Sequence, residues 1–171
     1  MKVILIGYMG SGKSVIAKIL SEKIKIPFVE LDILIEKSQN LSVKEIFSKK
    51  GELFFRKLEH QILSELILDN ADIIISAGGG TPCYFNNHEL LNHDNCISIY
   101  LKASIDTLYN RLYKEKQHRP LLSDLNDVEL QEFIAKHLFE RSYYYNQAKF
   151  KVNIDGKSID EIIVEIQQFL T

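Results

Sequence analysis

Residues 3–14 read VILIGYMGSGKS, an apolar run that passes into a glycine-rich turn and ends in lysine and serine. Gly7, Gly12, Lys13 and Ser14 have the spacing G-x-x-x-x-G-K-S. This spacing is typical of a loop between a strand and a helix whose backbone N–H groups surround a phosphate. The free N–H groups at the start of the following helix add the positive end of its dipole. The stretch therefore predicts a nucleotide site at the end of a buried strand.

The lysine and serine of such a loop have defined roles. The lysine bridges the β- and γ-phosphates and the serine hydroxyl ligates magnesium. We therefore predict that Lys13 is catalytic and that Ser14 is the protein ligand of Mg²⁺. The predicted nucleotide-binding residues of the loop are Gly10, Ser11, Gly12, Lys13, Ser14 and Val15.

Short apolar runs rich in branched residues alternate with longer amphipathic stretches along the rest of the chain. The predicted strands are 3–6, 28–31, 73–76, 97–101 and 150–154, and the predicted helices are 13–24, 32–37, 52–68, 104–113, 128–146 and 159–170. A further helical segment begins at Ser42, because Ser42 and Glu45 have capping-box spacing. This alternation predicts an α/β three-layer sandwich, a five-stranded parallel sheet with helices on both faces, of the P-loop NTP hydrolase type.

Composition limits the class of protein. The 171 residues, 46% of them hydrophobic, predict one domain over 1–171, and the formal net charge of -2 gives no basic surface for nucleic acid or an anionic membrane. Cys83 and Cys96 lack metal-site spacing and are expected to be free thiols. The apolar run at 3–6 is too short for an export signal. We therefore expect a cytoplasmic protein without nucleic-acid or membrane partners. A monomer is expected as well, although the composition does not determine the oligomeric state.

One stretch interrupts the alternation of strands and helices. Residues 114–127 read KEKQHRPLLSDLND, which is polar, contains Pro120 and leaves little room for a regular element. Loops of this length in compact domains are often lids over active sites. We therefore expect a lid at about 114–127, with Arg119 in it.

The phosphate loop leaves the second substrate open among three classes. A switch GTPase needs an N-K-x-D segment, and the sequence contains no Asn-Lys pair. A motor or regulatory ATPase normally has an apolar strand that ends in Asp or Glu, whereas the strand at 73–76 ends in Ser76. A small-molecule or nucleotide kinase remains.

The second strand ends in Glu30-Leu31-Asp32. Ligands of open parallel sheets bind at the carboxyl ends of strands, so Asp32 is expected on the same edge as the phosphate loop. A carboxylate there accepts the hydrogen bond of an alcohol and later its proton, and Glu30 is expected to reach a magnesium-bound water. The alternative is that Asp32 only caps the next helix.

Residues 52–63, ELFFRKLEHQIL, contain an apolar stripe of Phe55, Leu58 and Ile62 that is typical of a core-facing helix. Arg56 and Glu59 lie three apart beside it. Such a pair is usually exposed and weak, but near an active site it holds a guanidinium in place for a carboxylate ligand. Both interpretations stay open on spacing alone.

Five motifs together resemble the shikimate kinase family over nearly the whole chain. They are GYMGSGKS at 7–14, FRKLE at 55–59, SAGGG at 76–80, HRPLL at 118–122, and FERSYYYNQA at 139–148, in the order that this family shows. The resemblance implies a fold of nucleoside-monophosphate-kinase type, with ATP and Mg²⁺ as cosubstrate and cofactor. It also implies transfer of the ATP γ-phosphate to the 3-hydroxyl of shikimate, in the pathway to chorismate and the aromatic amino acids.

The resemblance also implies roles for individual residues. Shikimate is expected to lie between Asp32, Arg56, Gly78, Gly79, Gly80 and Arg141, in a substrate-binding region at about 32–60. Arg56 and Arg141 would hold the substrate carboxylate, the three glycines would let backbone amides approach the ring, Arg119 would reach the transferring phosphate, and Arg111 would lie near the adenine. Asp32 and Arg119 join Lys13 as expected catalytic residues.

Two positions depart from the family pattern, and two other functions stay open. Glu30 stands where the family usually has Asp, and Val15 where Thr is common. The first alternative is a kinase for another small hydroxy acid, such as a gluconate-like one. The second is a nucleotide-binding regulatory module that has lost phosphoryl transfer.

Overall fold

A parallel sheet of five strands forms the centre of the fold. The structure is a computed structural model and describes residues 1–119 and 121–170. The strands are β1 (Lys2–Ile6), β2 (Phe28–Glu30), β3 (Ile73–Ser76), β4 (Cys96–Lys102) and β5 (Phe150–Asn153), in the order β2-β3-β1-β4-β5. All neighbouring pairs are parallel. Each strand bound lies within one residue of the sequence prediction, and the predicted fold class is confirmed.

Eight α-helices surround the sheet in the part of the chain that the structure describes. They are α1 (Lys13–Ile24), α2 (Leu31–Gln39), α3 (Val43–Lys50), α4 (Glu52–Leu68), α5 (Asn87–Leu90), α6 (Ile105–Glu115), α7 (Asp127–Tyr145) and α8 (Ile159–Gln168). The predicted capping box of Ser42 and Glu45 is present at the start of α3. The one-turn helix α5 and the 3-10 turn Thr81–Cys83 were not predicted, because both are too short to give a periodic pattern.

The central strand explains why both faces of the sheet are covered. All five residues of β1 are buried although their side chains alternate between the two faces. Lys2 is buried too, and its amino group donates a hydrogen bond to the carbonyl of Ala71. A sheet with both faces covered leaves its carboxyl edge as the natural place for a site.

The strand order brings three functional segments together at that edge. Ser76, the last residue of β3, is in register with Leu5 of β1 on one side and with Glu30 of β2 on the other. The phosphate loop after β1, the glycine turn after β3 and the start of α2 after β2 therefore lie side by side.

The expected lid has more local structure than its sequence indicated. Helix α6 continues to Glu115, a 3-10 turn follows at Lys116–His118, and α7 begins at Asp127. Leu122 has no exposed surface and anchors the segment to the core. Pro120 and Thr171, which fall in the predicted lid and at the end of the predicted domain, lie outside the described residues.

Two further expectations concern the class of protein. Cys83 and Cys96 are both free thiols. Across residues 1–119 and 121–170, none of the helices is at once long enough and apolar enough to cross a membrane.

Candidate active site

Two adjoining cavities lie at the carboxyl edge of the sheet. The loop cavity, of about 530 Å³, is lined by the phosphate loop, and the arginine cavity, of about 700 Å³, is lined by Arg56 and Arg141. The two cavities share the lining residues Met9, Asp32, Gly78, Gly79 and Arg119. Ligands in the two cavities would therefore meet directly, with Asp32 and Arg119 at the junction.

The phosphate loop has the backbone conformation that its glycines predict. Gly10 and Gly12 have φ of 81° and 90°, in the left-handed region that favours glycine. Gly10, Gly12, Lys13, Ser14 and Val15 all line the loop cavity. Ser11 does not line it: the residue is buried and its N–H donates to the carbonyl of Tyr8. The nucleotide-binding role of Ser11 stays a prediction.

The ammonium group of Lys13 is held by backbone carbonyls alone among its described hydrogen-bond partners. Nζ donates to the carbonyl oxygens of Gly7 at 2.8 Å and Tyr8 at 3.0 Å. Burial lowers the pKa of Lys13 to about 8, against the effect of Asp32, and the nearby Arg119 and Arg141 lower it further. An anionic ligand in the loop cavity would stabilise the charged form of Lys13 and raise its pKa again.

The hydroxyl of Ser14 lies in a small set of oxygen donors. Ser14 Oγ donates to Glu30 Oε2 at 3.0 Å and lies 3.5 Å from Ser76 Oγ. Oxygen atoms are the ligands that Mg²⁺ prefers, and it usually keeps several waters and binds substrate phosphates. Within the described residues, no group of three or more His, Cys, Asp or Glu side chains is placed to hold a metal. The donors present therefore fit Mg²⁺ that is held mainly by phosphates and water.

Asp32 lies where both cavities meet, in the first turn of α2. The N-cap of α2 is Glu30 and no side chain caps the helix, so the interpretation of Asp32 as a capping residue is wrong. Burial raises the pKa of Asp32, while Lys13 and Arg56 lower it and Glu36 and Glu30 raise it. This carboxyl group is therefore a stronger base, once ionised, than an exposed aspartate.

The pair of Arg56 and Glu59 is buried, so its interpretation as an exposed helix-surface pair is wrong. Arg56 Nη1 donates to Glu59 Oε1 at 2.9 Å, and Glu59 has no exposed surface. The second carboxylate oxygen accepts a hydrogen bond from Thr81 Oγ1 at 2.7 Å. Burial raises the pKa of Glu59, and Arg56 and Thr81 oppose that change.

Aromatic rings enclose the guanidinium of Arg56. Its central carbon lies 4.1 Å from the ring centre of Tyr84, 5.2 Å from Phe55 and 6.0 Å from Phe47. Nε has no hydrogen-bond partner within the described residues, although a carboxylate oxygen of Glu52 lies 3.6 Å away. The group is thus fixed by packing and one buried anion, and it keeps donor capacity for a ligand.

Arg141 belongs to a second aromatic cluster, on α7. Its guanidinium carbon lies 5.6 Å from the ring centre of Tyr8. The hydroxyl of Tyr145, which is fully buried, donates to the carbonyl of Gly79 at 2.5 Å. The hydroxyl oxygen of Tyr8 lies 2.9 Å from Nδ1 of His137. The sequence marked the tyrosines only as a cluster, and nothing in it indicated that Tyr145 supports the glycine turn.

Neighbouring side chains leave little room for a Cβ in the glycine turn, Gly78–Gly80. A Cβ at Gly78 would lie 3.0 Å from Thr81 Oγ1, and one at Gly79 would lie 3.3 Å from Arg141 Nη1. A Cβ at Gly80 would lie 2.7 Å from Arg56 Nη2. None of these three glycines has a positive φ. Glycine therefore fits this turn without displacing the neighbouring side chains of Thr81, Arg141 and Arg56.

Arg119 lines both cavities and is paired with Glu115. Its Nε and Nη2 donate to Glu115 Oε2 at 3.0 and 2.8 Å. Arg111 lines the loop cavity and donates to the carbonyl of Gly10 at 3.1 Å. Sequence reasoning missed Glu115, because an i, i+4 pair on a polar segment looks like an ordinary exposed pair.

Comparisons with known proteins agree with this geometry. A family model described as shikimate kinase matches residues 9–171. A shikimate kinase from Flavobacterium johnsoniae is 56% identical over 169 residues, which cover 99% of this chain and 98% of that protein. The crystal structure of shikimate kinase from Bacteroides thetaiotaomicron has a TM-score of 0.91 at 35% identity, over 99% of this chain and 98% of the other. Shikimate kinase from Acinetobacter baumannii in complex with shikimate has a TM-score of 0.85 at 26% identity, over 99% and 92% of the two chains.

The lowered pKa of Lys13 has a measurable consequence for ATP binding. Above pH 8 most of the free protein carries a neutral Lys13, and phosphates favour the charged form, so binding should take up a proton and weaken as the pH rises. Calorimetry at pH 8.5 in two buffers of different ionisation enthalpy measures this uptake. Lys13→Arg, which stays charged, is expected to abolish it. Equal uptake in the variant and the wild type would contradict the assignment.

Proposed function

The chain belongs to the shikimate kinase family, and from that membership we propose that its two cavities hold ATP and shikimate side by side. Shikimate kinase is an ATP-dependent small-molecule kinase. It transfers the γ-phosphoryl group of ATP to the 3-hydroxyl of shikimate and gives shikimate 3-phosphate and ADP, in the pathway to chorismate and the aromatic amino acids. The observation that carries the proposal is the wall of Asp32, Gly78 and Gly79 that both cavities share.

The loop cavity takes the triphosphate. The N–H groups of residues 10–15 surround the β-phosphate, Lys13 bridges the β- and γ-phosphates, and Arg111 lies beside the base. Mg²⁺, when bound with ATP, neutralises negative charge on the phosphate oxygens. Ser14 is the protein group that would hold it directly, and Glu30 would reach it through water. The side chain of Glu30 is one methylene longer than the usual aspartate, and it accepts a hydrogen bond from the hydroxyl of Ser14 at 3.0 Å.

The arginine cavity takes the acid. Arg56 and Arg141 bind the carboxylate of shikimate with charge-assisted hydrogen bonds, and their aromatic neighbours fix the direction of each guanidinium. The glycine turn lies between the two arginines and next to the phosphate loop, where Gly79 approaches the N–H of Met9. The hydroxyl of the acid would then lie at the shared wall, next to Asp32.

The transfer depends mainly on positioning and on charge. The transition state of phosphoryl transfer is loose, with negative charge on its peripheral oxygens, so the cations Lys13 and Arg119 stabilise it. When the substrates bind, Arg119 leaves its hydrogen bonds to Glu115 and binds the transferring phosphate instead. Asp32 orients the hydroxyl and takes its proton late, and its raised pKa makes it a stronger base than an exposed aspartate.

The remaining assignments are proposals about the organisation of the chain and its place in the cell. We infer one catalytic domain, with a substrate-binding segment at about 32–60 and a lid at about 114–127. We also infer that the enzyme works as a monomer in the cytoplasm.

A coupled assay of ADP release tests the function. The wild-type enzyme should consume ATP with shikimate and Mg²⁺ and not with gluconate, because the chain belongs to the shikimate kinase family. Turnover of gluconate alone would favour a kinase for another hydroxy acid. Calorimetric binding of ATP without turnover of any acid would favour a regulatory module.

Replacing the two arginines separately tests their different roles. Arg119→Ala should lower kcat on the order of 10³-fold with little change in the KM for shikimate, because Arg119 acts on the transition state. Arg56→Ala should raise the KM for shikimate much more than it lowers kcat, and Arg56→Lys should do so less. Steady-state kinetics that show the two profiles exchanged would contradict these roles.

Asp32→Asn tests the acid–base role. The amide cannot accept the proton of the hydroxyl, so transfer should be nearly abolished while ATP binding stays near normal. In the wild type, kcat should fall as the pH drops through the raised pKa of Asp32, because only the carboxylate accepts the proton. Turnover of Asp32→Asn close to that of the wild type would remove Asp32 from the mechanism.

A further inference from the structure

Thr81 connects the glycine turn to the buried ion pair of the arginine cavity. Its hydroxyl donates to Glu59 Oε2 at 2.7 Å, and the other oxygen of Glu59 accepts from Arg56 at 2.9 Å. Its N–H donates to the carbonyl of Gly78 at 3.1 Å. The residue has no exposed surface, so it cannot itself contact bulk solvent. Thr81 is therefore connected to Arg56, which is predicted to bind the ligand, through the carboxylate of Glu59.

The backbone carbonyl of Thr81 also accepts a hydrogen bond from a buried side chain. Asn87, at the start of α5, donates from Nδ2 to this carbonyl at 2.9 Å and is itself fully buried. Its Oδ1 lies 2.7 Å from Nδ1 of His60, so the histidine donates there. All three polar groups of Thr81 are thus engaged, and its hydroxyl has a fixed position relative to Glu59.

We propose that Thr81 is a positioning residue for shikimate binding, which fixes the carboxylate of Glu59 and through it the guanidinium of Arg56. The inference rests on the proposed function, because it assigns Arg56 to the carboxylate of the acid. Glu59 can satisfy only part of its hydrogen-bonding capacity with Arg56. Without the hydroxyl of Thr81, the free oxygen of Glu59 would turn toward another donor, and Arg56 would follow it.

The same hydroxyl favours the ionised form of Glu59. Burial and the charge of Asp32 from α2 raise the pKa of Glu59, whereas Arg56 on its own helix and Thr81 lower it. The charge of Glu59 also acts on the thiol of Cys83, in the 3-10 turn, whose pKa it raises. Loss of the Thr81 donor removes an interaction with the charged form, so the pKa of Glu59 should rise further.

Three variants at one position test the proposal. Thr81→Val keeps the shape and removes the hydroxyl, and it should raise the KM for shikimate about tenfold, as expected when a hydrogen bond to a buried charge is lost. The kcat and the KM for ATP should change less than about threefold. Thr81→Ser keeps the hydroxyl and should restore the KM to near the wild-type value. If Thr81→Val does not fold, Thr81→Cys, with its weaker donor, should give an intermediate KM.

The pH dependence separates positioning from a purely structural role. In Thr81→Val the KM for shikimate should rise more steeply than in the wild type as the pH falls, because protonated Glu59 no longer holds Arg56 as an ion pair. A KM within twofold of the wild type at every pH, with only a lower Tm, would overturn the proposal. So would a Thr81→Ser variant that does not restore the KM.

A readout without substrate separates this inference from the proposed function. Crystal structures of the wild type and Thr81→Val should differ in the position of the Arg56 guanidinium, and identical positions would overturn the inference. Failure of the wild type to phosphorylate shikimate would instead overturn the proposed function. The kinetic comparison would then be made with the acid that the assay identifies.

Discussion

Glu59 is a carboxyl group without exposed surface, and the arrangement of the acceptor side depends on the partners that favour its ionised form there. Transfer of an ion out of water costs several kcal/mol, and a buried charge left without its partner destabilises a protein by about 3–5 kcal/mol. Arg56 at 2.9 Å and Thr81 at 2.7 Å offset this cost. The residue that would bind the acid is therefore also needed by the fold, so binding and stability are coupled at Arg56.

The cleft is cationic in a chain whose formal charge is -2. Lys13, Arg56, Arg119 and Arg141 line its two cavities, and Asp32 lies between them. Clefts that concentrate one sign of charge attract ligands of the opposite sign, and here both a triphosphate and a carboxylic acid are anions. Burial is the main cause of the lowered pKa of Lys13, and the nearby cations Arg119 and Arg141 lower it further before a ligand is bound. Composition alone gave no sign of this, since the cations are far apart in the sequence.

The sequence predicted the features of the fold that depend on a few consecutive residues. Strand bounds followed from apolar runs, and the phosphate loop from the spacing of Gly12, Lys13 and Ser14. Spacing could not show that the Arg56–Glu59 pair is buried, because burial depends on the glycine turn that folds over it. The role of Thr81 was missed for the same reason, as its partner Glu59 lies on another element. The substrate-contacting roles remain predictions that rest on membership of the family.

The glycine at position 80 has a consequence for how this sequence can vary over evolution. Its φ of -92° suits any residue, but a Cβ there would lie 2.7 Å from Nη2 of Arg56, whose guanidinium is pinned by Glu59 and Tyr84. A side chain at position 80 would therefore require the guanidinium of Arg56 to move or residue 56 to become smaller. The two sites should covary among homologues, and a lone replacement at 80 would indicate a changed acceptor.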